Sequence, residues 1–176
     1  MVPISREKID LPEGVEAKVT DNNIEVSGPK GKVLRTFNDP EMKIEVEGHT
    51  ILAEIGSVRR KKRAMMGTFR SHILNMVKGV TEGFIYKLRV VYSHFPISIK
   101  ADGKRVIINN FLGERSPRVA YIAGDVTVEI SGEDLLVKGI NRDNVGQTAI
   151  NIESATSVKY KDKKTFQDGC YICERS

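Results

Sequence analysis

The chain of 176 residues repeats itself, and that repetition restricts its fold more than any other feature. Val15-Glu16-Ala17-Lys18-Val19 aligns with Ile97-Ser98-Ile99-Lys100-Ala101. Ile24 and Val26 then fall on Val106 and Ile108, and Gly31 falls on Gly113. Further on, Met42-Lys43-Ile44-Glu45-Val46-Glu47-Gly48 aligns with Val126-Thr127-Val128-Glu129-Ile130-Ser131-Gly132. Both segments alternate apolar and polar residues, the pattern of a half-buried strand. Each leads through a turn glycine to a second apolar pair, Ile51-Leu52 or Leu135-Leu136, which reads as a hairpin. Gly67 then falls on Gly146, each inside a helical pattern.

The first helix is predicted over about residues 59–77. Met65, Met66, Phe69, Ile73, Met76 and Val77 recur at helical spacing and form one apolar face. The second is predicted over 142–155, with Asn141 as its N-cap and Val145, Ala149 and Ile152 at i, i+4 and i+7. Residues 82–92 bridge the halves and read as a strand. The order strands, hairpin, helix therefore occurs twice. The expected fold is α+β, with two tandem similar domains at 1–81 and 82–176. Each is a curved, mostly antiparallel sheet with one helix packed on it, because an open sheet needs a cover for its apolar side.

Forty per cent of the residues are hydrophobic and 29% charged, which is ordinary for a globular chain and argues against disorder. The N-terminus Met1-Val2-Pro3-Ile4-Ser5-Arg6-Glu7-Lys8 lacks the shape of a signal peptide. No stretch reaches the ~20 apolar residues of a membrane span. The expectation is a cytosolic protein without a membrane partner. Net charge is +5 and unevenly placed. Residues 57–90 carry nine cations (Arg59, Arg60, Lys61, Lys62, Arg63, Arg70, Lys78, Lys87, Arg89) against the single acid Glu82. Just before them, Asp39, Glu41, Glu45, Glu47 and Glu54 share a segment with one lysine. Such segregation favours an anionic partner, most simply nucleic acid. The basic run opens a helix, where cations oppose the helix dipole. Five consecutive basic residues wrap around a helix, so Arg59, Arg60, Lys62 and Arg63 are assigned only a secondary RNA contact.

The C-terminal segment is sharper. Lys159, Lys161, Lys163 and Lys164 crowd six positions before Thr165-Phe166-Gln167-Asp168-Gly169. In an extended segment Lys159, Lys161 and Lys163 would point to one side and grip phosphates together. Arg115 and Arg118, in Gly113-Glu114-Arg115-Ser116-Pro117-Arg118, could join that surface. Asp168, placed before Gly169, reads as turn chemistry.

Other motifs fall away. Gly28-Pro29-Lys30-Gly31-Lys32 resembles a phosphate loop only faintly, because Val33 stands where Ser or Thr and a helix are required. It reads as a turn between strands. Cys170-Tyr171-Ile172-Cys173 lacks the two further ligands of a zinc site. Residues three apart on a strand face opposite sides, so one small core residue and one incidental thiol are expected. No catalytic motif, cofactor site or small-molecule site is apparent.

Four stretches resemble the universal large-subunit ribosomal protein six family in its archaeal and eukaryotic form. Ile9-Asp10-Leu11-Pro12-Glu13-Gly14-Val15 with Val26-Ser27-Gly28-Pro29-Lys30-Gly31 is similar to the family's opening. Gly139-Ile140-Asn141-Arg142-Asp143-Asn144-Val145-Gly146-Gln147-Thr148-Ala149 is similar to its second helix. Lys161-Asp162-Lys163-Lys164-Thr165-Phe166-Gln167-Asp168-Gly169-Cys170-Tyr171-Ile172 resembles its C-terminal motif, and Met66-Gly67-Thr68 lies in its first helix. The resemblance implies two duplicated domains and binding to large-subunit rRNA, mainly through the second domain. It places that binding near the sarcin–ricin region, with ribosomal proteins as neighbours and translation factors nearby. It carries an RNA-binding role onto Lys159, Lys161, Lys163, Lys164, Phe166, Gln167, Asp168 and Gly169. Lys164 stands where the family usually has arginine, and Cys170 where an aliphatic residue is usual. The expected function is a non-enzymatic structural constituent of the large subunit. An RNA-binding module outside the ribosome, a cysteine hydrolase and an acidic protein-interaction module are the rivals.

Overall fold

A computed structural model describes residues 5–20, 23–37, 39, 41–56, 59–92, 94–162 and 164–176. The chain divides into two units, Met1–Gly83 and Phe84–Ser176.

In the first unit, β1 (Ser5–Asp10), β2 (Glu16–Thr20), β3 (Asn23–Gly28), β4 (Gly31–Thr36), β5 (Met42–Glu47) and β6 (Thr50–Ile55) precede α1 (Arg60–Thr81). The strands form two antiparallel three-stranded sheets, ordered β2-β3-β4 and β1-β6-β5. The expected hairpin is β5–β6, whose two-residue loop has Gly48 at φ 60°. Period-two burial follows the alternation. Ile51, Ala53 and Ile55 point inward from β6, and Ile24 and Val26 from β3. The stripe Met66, Phe69, Ile73, Met76 and Val80 of α1 is buried. The helix continues to Thr81, four residues past its expected end. Lys78-Gly79-Val80-Thr81 is poor in helix formers, yet Gly79 and Val80 are buried and packing decides the outcome.

The Gly28–Gly31 turn explains why the helix ends where it does. A Cβ on Gly28 would lie 2.7 Å from Val80 Cγ2, so only glycine lets the helix approach. The Lys30 amide donates to Val80 O at 2.9 Å, and its ammonium to Glu82 O. Two orphan carbonyls at the helix end thus find donors on the turn. Gly83, at φ 77°, donates to Lys78 O and turns the chain away.

The second unit repeats this plan with an addition. It comprises β7 (Phe84–Val91), β8 (Ser98–Asp102), β9 (Arg105–Asn109), a one-turn 3-10 helix (Phe111–Gly113), β10 (Arg118–Tyr121), β11 (Thr127–Ser131), β12 (Asp134–Gly139), α2 (Arg142–Ala155) and β13 (Gly169–Arg175). One sheet runs β8-β9-β10 and the other β11-β12-β7-β13, all antiparallel. The block β7-β12-β11 is the counterpart of β1-β6-β5, and β13 is the strand with no counterpart in the first unit. Asn141 caps α2 as expected, its Oδ1 accepting from Asp143 N at 2.9 Å. Val145, Ala149 and Ile152 of α2 bury against Phe84, Leu88, Val106, Ile108 and Leu135.

The architecture is therefore α+β with tandem repeated units and one long helix in each. The antiparallel sheet of each unit is divided in two.

Candidate nucleic-acid interface

The C-terminal segment crosses from the end of α2 to β13, and both ends are tied down. At the helix end Thr156 is buried. Its hydroxyl donates back to Glu153 O at 3.0 Å and accepts from the Cys170 amide at 2.9 Å. Arg118 holds the same helix terminus. Its Nη1 donates to Ala155 O at 2.9 Å and to Ser157 O at 3.1 Å. Its Nε and Nη2 grip Glu114 bidentately at 2.8 and 2.6 Å, and its guanidinium lies 4.2 Å from the Phe111 ring centroid. The Arg118 hydrogen bond, with its charge and that of Lys161, holds the Glu114 carboxyl below its ordinary range. The loop carrying Arg115 and Arg118 thus does meet the tail, but Arg118 is occupied within the fold. Arg115 is exposed.

Asp162 organises the centre of the segment. Its Oδ1 accepts from the Lys164 amide at 3.0 Å, and its carbonyl accepts from the Thr165 and Phe166 amides at 3.2 and 2.9 Å. The backbone turns here and not at Asp168-Gly169, where β13 begins. Tyr160 has φ 61°, and the chain bends at 160–161. An extended run that would aim Lys159 and Lys161 to one side is therefore not formed. An Asx-type turn outcompetes it locally. Lys163 lies outside the described residues.

Asp168 has a different task from the one its sequence position suggests. Its carboxylate is buried and accepts from the His94 amide at 3.2 Å. His94 Nδ1 lies 2.8 Å from the other carboxylate oxygen, and an ionised carboxylate only accepts, so Nδ1 carries the proton of that pair. The His94 ring stacks on Phe166, with centroids 4.5 Å apart and planes at 19°. The Lys161 ammonium lies 4.4 Å from the Phe166 centroid, a cation–π contact. Phe166 and Asp168 thereby pin the lysine turn to the start of the unit. Gly169 packs under Tyr171, whose ring would meet a Cβ there at 3.2 Å and would have to shift by a few tenths of an ångström. The Tyr171 hydroxyl donates to Gln167 O at 3.1 Å. A cleft of about 520 Å³ opens between α2 and this segment, lined by Thr156, Lys159, Phe166 and Tyr171 among others.

The result is an exposed cationic turn on a fixed base. Lys159, Lys161 and Lys164 are exposed, and among the described residues none of them is ion-paired to a carboxylate. His94 and Glu114 escaped the sequence reading. His94 is 74 residues from Asp168 in the chain, and no local signal links them.

The basic run of the first unit is placed differently. Arg59 is the N-cap of α1 and has no acceptor to offer the first-turn amides. Arg60, Lys61 and Arg63 are exposed. Lys62 turns inward to Asp39 at 3.0 Å and Glu41 at 3.2 Å, so part of the acidic segment neutralises the run. Among the described residues no His, Cys, Asp and Glu cluster could hold a metal, and no helix is long and apolar enough to cross a membrane.

A family model described as Ribosomal protein L6 matches residues 11–83 and again 95–169. The chain is 46% identical over 168 residues to the large ribosomal subunit protein uL6 of Methanosarcina mazei, covering 96% of each. It is 50% identical over 171 residues to that of Methanothrix thermoacetophila, again covering 96% of each. With the uL6 of Aeropyrum pernix the identity is 45%, over 96% of this chain and 93% of the relative.

Proposed function

This chain belongs to the ribosomal protein L6 family, and from that membership we propose how it serves as a structural constituent of the large ribosomal subunit. In that role it works in the cytoplasm, within the ribosome. Its partners are large-subunit rRNA and neighbouring ribosomal proteins. It holds folded RNA and performs no chemistry on it. The second unit is the main rRNA-binding unit, docked near the sarcin–ricin region where translation factors bind. Lys159, Lys161 and Lys164, joined by Lys163 and Arg115, neutralise backbone phosphates. Phe166, Asp168 and Gly169 act mainly by fixing the shape of the turn, and Gln167 sits exposed beside them.

The observation that carries this reading is the cationic turn braced by the Phe166–His94–Asp168 contacts. Three exposed ammonium groups on a mobile tail would give diffuse affinity. On a fixed base they match one arrangement of phosphates, which is how structured RNA is distinguished by shape. The exposed cations Arg60 and Arg63 of α1 supply a secondary contact.

The test is a salt titration of the whole chain binding the rRNA fragment that carries the sarcin–ricin region, with an unrelated structured RNA as control. Preferential binding is expected. Lys161→Ala and Lys164→Ala should each flatten the plot of log K against log salt by roughly 0.9 per lost phosphate contact. Equal affinity for both RNAs, or unchanged slopes, would sink the assignment.

A further inference from the structure

Among the described residues three that are not glycine have left-handed backbones: Asn110 at φ 58°, Leu112 at φ 50° and Tyr160 at φ 61°. Residues with a Cβ occupy this region rarely, asparagine most readily. The first two are offset inside the fold. Asn110 donates through Nδ2 to Pro96 O at 3.0 Å, and Leu112 packs against the core of the second unit. Tyr160 is a bulky aromatic, where such a conformation is a true outlier, and its side chain is fully exposed. A left-handed backbone and a ring wholly in solvent therefore coincide at one residue. Backbone strain of that kind collects at ligand-contacting positions.

We propose that Tyr160 is a stacking platform for an unstacked nucleobase of the bound rRNA, with Lys159 and Lys161 taking the phosphates on either side. This rests on the RNA-binding reading above and adds to it a base contact that the lysines cannot supply. Sequence-specific or site-specific grip on structured RNA is obtained where bases are splayed out and stacked on aromatic rings. A tyrosine offers a flat apolar face at little cost in side-chain entropy. The flanking ammonium groups favour a polyanion over an apolar protein surface as the occupant. Phe166, the other aromatic of the motif, is covered by His94 and Lys161 and serves as a brace.

The chain has no tryptophan, so Tyr160→Trp places a single fluorescent reporter at the site in the full-length protein. Its emission should be quenched by deproteinised large-subunit rRNA and not by an unrelated structured RNA. Tyr160→Phe should bind the rRNA like wild type. Tyr160→Ala should bind about 10- to 100-fold more weakly, with an unchanged salt slope because no charge is lost. Tyr160→Gly should lose as much as the alanine variant although it relaxes the backbone, which separates the ring from the shape of the turn. Wild-type affinity in Tyr160→Ala, or an unquenched reporter, overturns the proposal. If Lys161→Ala flattens the slope while Tyr160→Ala is neutral, RNA binding stands and the stacking contact falls. If Tyr160→Ala binds rRNA normally yet enters large subunits poorly, the ring meets a protein neighbour and the proposal is again overturned. Failure of the wild-type chain to prefer the rRNA removes both readings.

Discussion

Cys170 and Cys173 lie three residues apart and are chemically different groups. Cys170 is buried, and burial pushes its thiol up to about 11. Cys173 falls at the register shift of β13 on β7, between Ile172 and Glu174, and is exposed. The thiolate is the reactive form, so Cys170 should be inert at neutral pH. A chromogenic thiol reagent should titrate one group in the native chain and two in denaturant. Cys173→Ser should remove the native titre. Two fast native thiols would show that β13 opens readily and would revive a cysteine-based activity. Asp39 supplies a pH prediction at the same scale. The Glu41 amide and the Lys62 ammonium hold its carboxyl below its ordinary value of 3.8. A carboxyl depressed in the folded state stabilises the fold above pH 3.8 and loses that contribution as pH falls through the folded value. Asp39→Asn should therefore lower the urea midpoint at pH 7, and the gap from wild type should close on acidification. An equal gap down to about pH 2 would assign the loss to packing and not to charge.

Two glycines of the first unit, one in α1 and one at the end of β3, show how the residue can be superfluous or indispensable. Gly67 in α1 is exposed with open space around it, so Gly67→Ala should raise stability by about 0.5–1 kcal/mol in urea unfolding. Gly28 instead faces Val80, and Gly28→Ala should cost about 1–3 kcal/mol as α1 is forced off its turn. If both variants had the same sign, the described seat of α1 would be wrong. The elements legible in the sequence are those made by local rules. Alternation revealed the hairpin over Met42 to Leu52, the i+4 spacing revealed α2, and Asn141 marked its start. The end of α1 was hidden because Gly79 and Val80 are poor helix formers that tertiary contact stabilises. The brace of the lysine turn was hidden for a related reason. His94, Phe166 and Asp168 meet only because β13 pairs with β7, and no residue near His94 announces that pairing.

At the scale of the whole chain, the duplication and its one exception divide structural from functional labour. Every strand pairing described falls within one unit, and each unit has its own helix and buried residues. The strand without a counterpart, β13, is also the strand that anchors the lysine turn. A motif built on an added strand belongs to one copy only, so the copies should differ in RNA binding although they share a plan. Residues 84–176 made as a separate chain should unfold cooperatively in urea, because the buried cluster of the second unit is drawn from residues 84–172. That fragment should also keep the preference for the sarcin–ricin fragment. The full chain should show a steeper salt dependence, by roughly 0.9 for each phosphate met by Arg60 or Arg63. Identical slopes would mean that the basic start of α1 makes no phosphate contact with that fragment. A fragment that folds but does not bind would move the principal site into the first unit, against the placement of the cationic turn.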